Sequence, residues 1–197
     1  MTALDRQLVL AAARKAQPIP AEFETERLLI RAGCFADLDE TFVVANASVN
    51  ELCGWMPWAY PTPLRESMAT YFATVKEKWA ARDLLDFQWI EKSTGMLIGK
   101  GGFHHIDWTI PKVEIGYWIA SASSGRGYCT EAVNGFVQFA RNELRATRIE
   151  IRSQPANLRS RAVAERCGFT LEGINRRALV GVEGDLRDAC MYALVFD

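Results

Sequence analysis

Val113-Glu-Ile-Gly-Tyr-Trp-Ile119, Ala120-Ser-Ala-Ser-Ser124 and Gly125-Arg-Gly-Tyr-Cys-Thr-Glu-Ala-Val133 follow one another in the second half of the chain. Ile115, Tyr117 and Ile119 alternate as on a β-strand, and Lys112 to Ile119 reads as one. Small residues then form a loop, and Gly125-Arg-Gly127 leads into a helix from about Thr130 to Leu144. Successive backbone N–H groups at such a helix start carry partial positive charge and suit a phosphate. Gly125 and Gly127 let the main chain approach an anion, and Arg126 adds charge. A single G-x-G also occurs in ordinary turns and bulges, so its surroundings decide what it means.

Towards the N-terminus, residues 2–16 read as a short helix capped by Thr2, with Asp5 in its first turn and Arg14 and Lys15 near its end. Pro18-Ile-Pro20 ends it, so residues 1–20 form a helical extension and linker, packed on a surface or partly disordered. Arg27 to Arg31 reads as a first strand, and Asp37 as the cap of a helix over Leu38 to Ala45. Cys53 to Pro63 holds three prolines and the aromatics Trp55, Trp58 and Tyr60, which exclude a regular helix. Glu66 to Ala81 is amphipathic; Asp86 to Glu91 and Met96 to His104 then form a hairpin about Lys92-Ser-Thr-Gly95. Past the central run come a strand at Arg148 to Ser153 and a helix at Ser160 to Cys167 stopped by Gly168. Two last strands fit Thr170 to Leu179 and Arg187 to Val195. This order points to a mixed α/β sheet.

With 197 residues, 49% hydrophobic and 24% charged, the chain can bury a core without disulfides or metals. A formal net charge of -1 argues against a nucleic-acid partner, and no apolar run approaches membrane-spanning length. Five scattered cysteines without a C-x-x-C pair fit a reducing, cytoplasmic compartment and no zinc site.

Beyond the helix start, Asn157-Leu-Arg-Ser160, Glu165-Arg-Cys-Gly-Phe169 and Leu171-Glu-Gly173 follow in order, and Glu24-Thr-Glu-Arg-Leu28 stands near the front. With these the chain resembles the GNAT N-acetyltransferases of the RimJ/RimL type, which include ribosomal-protein N-terminal acetyltransferases. The resemblance runs from Glu24 to the C-terminus. It implies one α/β (α+β) domain over 21–197: a central mixed, mostly antiparallel sheet with helices on both faces and splayed strands at a cofactor cleft. It further implies acetyl-coenzyme A as cosubstrate. The amides of Ser124, Gly125, Arg126, Gly127, Tyr128, Cys129 and Thr130 would hold its pyrophosphate. Ser124 and Cys129 depart from the family's Gln/Arg and Gly/Ala, and a small free cysteine reads as space-filling. Tyr117, Trp118 and Ile119 would pair with the pantetheine arm as an added strand does, one N–H facing the thioester oxygen.

The resemblance also implies that Asn157 hydrogen-bonds pantetheine and that Ser160 protonates the departing thiolate; Ser160 equally fits a helix cap. Ala164 stands where many GNAT enzymes carry a tyrosine acid. Glu114 is the candidate to take the amine proton through water, against an ordinary surface carboxylate. His104 and His105 are adjacent on a strand, so at most one faces the cleft. Trp55, Trp58 and Tyr60 would wall the acceptor site or simply cap the core, and Asp83, Asp86 or Asp107 are open candidates to hold a cationic acceptor. The implied reaction is direct transfer to a primary amine in a ternary complex, without metal, by a homodimer. The acceptor would be a protein N-terminus. A small amine acceptor, and a non-catalytic coenzyme A-binding module, remain the alternatives.

Overall fold

The computed structural model describes residues 2–197. Helix α1 (Ala3–Ala16) opens with the expected capping box: Asp5 N–H donates to Thr2 Oγ1 at 3.1 Å and Thr2 N–H to Asp5 Oδ2 at 2.7 Å. It lies on the surface with only Ala11 buried, tied by Arg14 to the Trp108 carbonyl and by Lys15 to Asp83. Strands β1 (Glu22–Glu24) and β2 (Leu28–Ala32) form a hairpin. The sequence reading missed β1, a segment of only three residues.

Helix α2 (Leu38–Asn46) follows with Asp37 at its N-cap position, but the Asp37 side chain makes no cap hydrogen bond. Its carboxylate folds back to accept from Cys34 N–H at 2.7 Å and from Arg31 Nη2 at 2.6 Å. Arg31 arrives from the neighbouring strand, and a bidentate guanidinium outcompetes a lone amide. Short helix α3 (Val49–Leu52) leads through a 3-10 turn at Pro57–Ala59 to α4 (Arg65–Ala81), whose Phe72 and Val75 are buried.

Strands β3 (Leu85–Glu91), β4 (Leu97–Asp107) and β5 (Lys112–Ile119) form the expected meander. Helix α5 (Tyr128–Asn142), β6 (Arg148–Ser153), α6 (Leu158–Arg166), β7 (Thr170–Val180) and β8 (Leu186–Val195) complete the chain. Gly168 follows α6 at φ 83° as its C′ residue. The eight strands run β1-β2-β3-β4-β5-β6-β8-β7, antiparallel except where β5 meets β6.

The core lies between the sheet and α5. Phe23 packs on Phe87, Phe136 and Phe139 at 4.9–5.6 Å between ring centres, and Phe103 joins the same cluster. Trp89 crosses β4 where Gly99 and Gly101 have no side chains; a Cβ at either would stand 2.8 Å from its ring. Helices α2 and α4 cover the opposite face.

One irregularity creates the site. β5 and β6 pair only over Lys112–Glu114 against Arg148–Glu150. Beyond Glu114 the strands part, leaving one edge of β5 unpaired from Ile115 to Ile119.

Candidate active site

Two cavities of about 500 and 880 Å³ occupy this gap and meet where both border Trp55, Met56, Tyr117, Trp118, Asn157 and Ser160. The larger runs from the β5 edge to the start of α5. Gly125 and Gly127 adopt φ 77° and 83°, and a Cβ at Gly125 would meet nothing within 4 Å. The first N–H of α5 with a carbonyl partner in its own turn is that of Glu131, on Gly127. The amides of Tyr128, Cys129 and Thr130 precede it and border the cavity as free helix-end donors.

Of the residues the sequence assigns to the coenzyme, Ser124, Gly125, Gly127, Cys129 and Thr130 line this cavity, as do Tyr117, Trp118 and Ile119. Tyr128 borders it too, but its phenol turns inward to Glu91, under the guanidinium of Arg27. Arg126 does not line it: its guanidinium points to Glu91 at 3.5 Å, and its carbonyl is held by Arg27 Nη1. The basic groups that do line it are Arg159 and Arg166 of α6. The reading missed them because their place depends on how α6 docks beside α5. Burial pushes the Cys129 thiol up to about 12, which leaves it protonated and space-filling.

At the junction, Asn157 caps α6, its Oδ1 accepting from Ser160 N–H at 3.1 Å. Ser160 is therefore the third residue of the helix and not its cap. Its hydroxyl lies 3.2 Å from the Tyr117 hydroxyl. That phenol comes from β5, stacks on Trp89 with ring centres 6.2 Å apart, and is pushed up by burial, so it stays a neutral donor. Tyr117 thus brings a phenol to Ser160 from the strand opposite α6, a contact that a 43-residue separation hides.

The smaller cavity has Trp55 and Trp58 on one side, Trp58 leaning on Trp118 at 5.7 Å. Tyr60 is not in its lining; its hydroxyl donates 2.9 Å to Glu183 in the β7–β8 loop. Its floor is polar. Asp86 and Lys100 are both buried and form an ion pair at 2.9 Å. Tyr71 donates to Asp86 at 2.9 Å, and the Lys100 ammonium sits 4.3 Å from the Tyr71 ring centre. Asp86 is thus the one of the three candidate aspartates on this cavity; Asp83 pairs with Lys15, and Asp107 accepts from Thr109 and Ile110 N–H. Glu114 does not line the cavity and is held by Arg152 Nε at 2.7 Å. His104 and Arg152 do line it, whereas His105 is exposed. Among the described residues no group of His, Cys, Asp and Glu is arranged to hold a metal.

A strand splay with free amides at one end and a polar pocket at the other suits transfer between two substrates bound on either side of the sheet. Residues 27–170 match the model of the GNAT acetyltransferase domain.

The chain belongs to the GNAT acetyltransferase family.

This GNAT chain is 36% identical over 141 residues to YdaF of Bacillus subtilis (strain 168), provisionally named a ribosomal N-acetyltransferase, covering 70% of this chain and 76% of YdaF. Among solved structures, the microcin C7 self-immunity acetyltransferase MccE, in complex with acetyl-CoA and AMP, superposes with TM-score 0.82 at 22% identity, covering 90% of this chain and 97% of MccE. The ribosomal-protein-S5-alanine acetyltransferase from Vibrio fischeri superposes with TM-score 0.78 at 21% identity, covering 90% and 98%. These two likenesses establish the fold.

Proposed function

We propose that this GNAT enzyme transfers acetyl from acetyl-coenzyme A directly to the α-amine of a protein or peptide N-terminus, in a ternary complex. The observation that carries the transfer is the meeting of the two cavities at Ser160 and Tyr117, with the open β5 edge between them. The ribosomal name of YdaF supports a protein acceptor. An α-amine is also the easier nucleophile, since it titrates near ~8 against ~10.4 for a lysine side chain.

The cleft fits the coenzyme: free amides and positive-φ glycines at one end, Arg159 and Arg166 along the wall, and an unpaired strand edge beside them. When bound, acetyl-coenzyme A supplies an activated acyl group as a thioester. The amides of residues 124–130 would hold its pyrophosphate, and the main chain of Tyr117, Trp118 and Ile119 its pantetheine arm. Asn157 spends its carbonyl oxygen on the helix cap and keeps its amide nitrogen for pantetheine. Ser160 would give its proton to the departing sulfur and recover it from Tyr117. Trp55 and Trp58 would wall the acceptor; Tyr60 would act from the rim by holding Glu183.

We further take residues 21–197 as one catalytic domain and residues 1–20 as an appendage. The assembly is read as a homodimer, supported by the exposed Leu4, Leu8 and Leu10 of α1, and the compartment as cytoplasmic, supported by five free cysteines.

A second reading, a small-amine acceptor, draws on the Tyr60–Glu183 bridge, which ties the Pro57–Ala59 turn to the β7–β8 loop. The test is thiol release from acetyl-coenzyme A against Ser- and Ala-started peptides, spermidine, aminoglycosides and free amino acids. Turnover confined to the peptides is the expected result, and turnover confined to a small amine selects the second reading. Background release with every acceptor, coenzyme still bound, would make the chain a binding module.

A further inference from the structure

The amine must lose a proton before it attacks, and the polar floor of the smaller cavity offers few groups free to take it. Asp86 is committed to Lys100 and Tyr71, and Glu114 to Arg152. His104 lines the same cavity, and among the described residues no hydrogen bond reaches either of its ring nitrogens. Its place is set by β5: a Cβ on Gly116 would lie 3.0 Å from His104 Nε2, so the ring rests on that glycine. Gly116 stands two residues past the last β5–β6 pair, at the start of the open edge and next to Tyr117. The ring therefore lies against the start of the open edge, on the smaller cavity.

We propose that His104 is the catalytic base of this enzyme, taking a proton directly from the acceptor's ammonium group. This rests on the acetyltransfer reading above. Burial, the largest influence, holds the imidazole below its ordinary 6.5 and so neutral at pH 7. The charges facing it are Asp86 from β3, Glu114 from β5, and Lys100 and His105 from β4. The two carboxylates favour the imidazolium once it forms; Lys100 and His105 oppose it and help the ring to release its proton again. Arg152 of β6 lines the same cavity as His104, paired with Glu114 at 2.7 Å and contacting His105 at 2.8 Å.

The proton balance closes. The neutral imidazole takes one proton from the ammonium and later gives it to water. The freed nitrogen pair forms the N–C bond as the C–S pair leaves on sulfur. The second nitrogen proton ends on the thiol through Ser160 and Tyr117.

The chain has only two histidines, His104 and His105, so both can be followed by NMR. In wild-type protein without acetyl-coenzyme A, with His105→Gln used for assignment, the His104 C2 proton should titrate below 6.5. With a Ser-started peptide, wild-type kcat/KM should fall as pH drops through that value. His104→Gln should lose about 10²–10⁴-fold at pH 7. Its remaining rate should climb above pH ~8, where the peptide supplies its own free amine. Coenzyme A binding, read from tryptophan fluorescence, should persist in this variant and show that it is folded; added imidazole should restore part of the rate in His104→Ala. Wild-type rate with an intact acidic limb in His104→Gln overturns the proposal, as does a His104 ring protonated at pH 7. A wild-type protein that acetylates no amine overturns the transfer reading and this proposal together.

Discussion

At the scale of single residues, the decisive contact is the 3.2 Å approach of the Tyr117 and Ser160 hydroxyls. A serine hydroxyl alone is a poor acid; a neutral phenol beside it gives the proton a second source. Ser160→Ala should therefore lower kcat by about 10–100-fold while coenzyme A affinity stays within twofold. Tyr117→Phe should give a smaller loss on the same readout. Equal rates in all three proteins would remove both residues from proton transfer. The glycines are as specific as the hydroxyls. Gly101→Ala forces a Cβ to within 2.8 Å of the Trp89 ring and 3.0 Å of the Gly116 carbonyl, and so disturbs the ring that supports Tyr117.

At the scale of elements, the start of α5 is positioned by Glu131. Its carboxylate accepts from Thr25 Oγ1 at 2.5 Å, Arg27 N–H at 2.7 Å and Arg27 Nε at 2.6 Å, which fastens the helix to the β1–β2 turn. Burial opposes its ionisation, but Thr25 and Arg27 outweigh that and hold the carboxyl below the ordinary value. Glu131→Gln keeps the shape and loses the charge, so we expect about 2 kcal/mol less stability by urea denaturation. Coenzyme A affinity should weaken with it, because the amides proposed to hold the pyrophosphate sit in the same turn. An unchanged denaturation midpoint would show that the turn is held by packing alone. The helix start was legible in the sequence as a glycine loop, but its anchor was not. Glu131 and Arg27 are 104 residues apart, and on a helix surface such a glutamate reads as solvated.

At the scale of the whole molecule, the titrating groups set a stability plateau. Asp37, Glu91, Glu131 and Glu172 are all held below their ordinary values by hydrogen bonds and arginines. The unfolded chain therefore binds more protons than the folded one near pH 4, and their contribution is lost as pH falls below about 4.5. His104, depressed by burial, adds a shallower decline that begins below about 6.5. Tyr71 and Tyr117, raised by burial, destabilise the fold only above about pH 10, where the unfolded phenols ionise. Urea midpoints should be flat from pH 7 to 8, fall above about 8.5 as the unfolded Cys129 and Cys167 thiols ionise, dip slightly at 5.5 and collapse below 4. A midpoint that keeps rising down to pH 4 would contradict this assignment.

The sequence by itself determined the order of the longer elements, the mixed sheet, the family and the glycine loop that opens α5. Those follow from local periodicity, from glycine's access to positive φ and from motifs a few residues long. It did not determine β1, the turn of Asp37 towards Arg31, or which basic residues line the larger cavity. It also left open which of Asp83, Asp86 and Asp107 reaches the smaller cavity, and which of His104 and His105 faces inward. Only the tertiary structure decided these, because each depends on a partner from a distant strand or helix. A buried charge takes whichever opposite charge the topology places beside it, and sequence spacing carries no record of that neighbour.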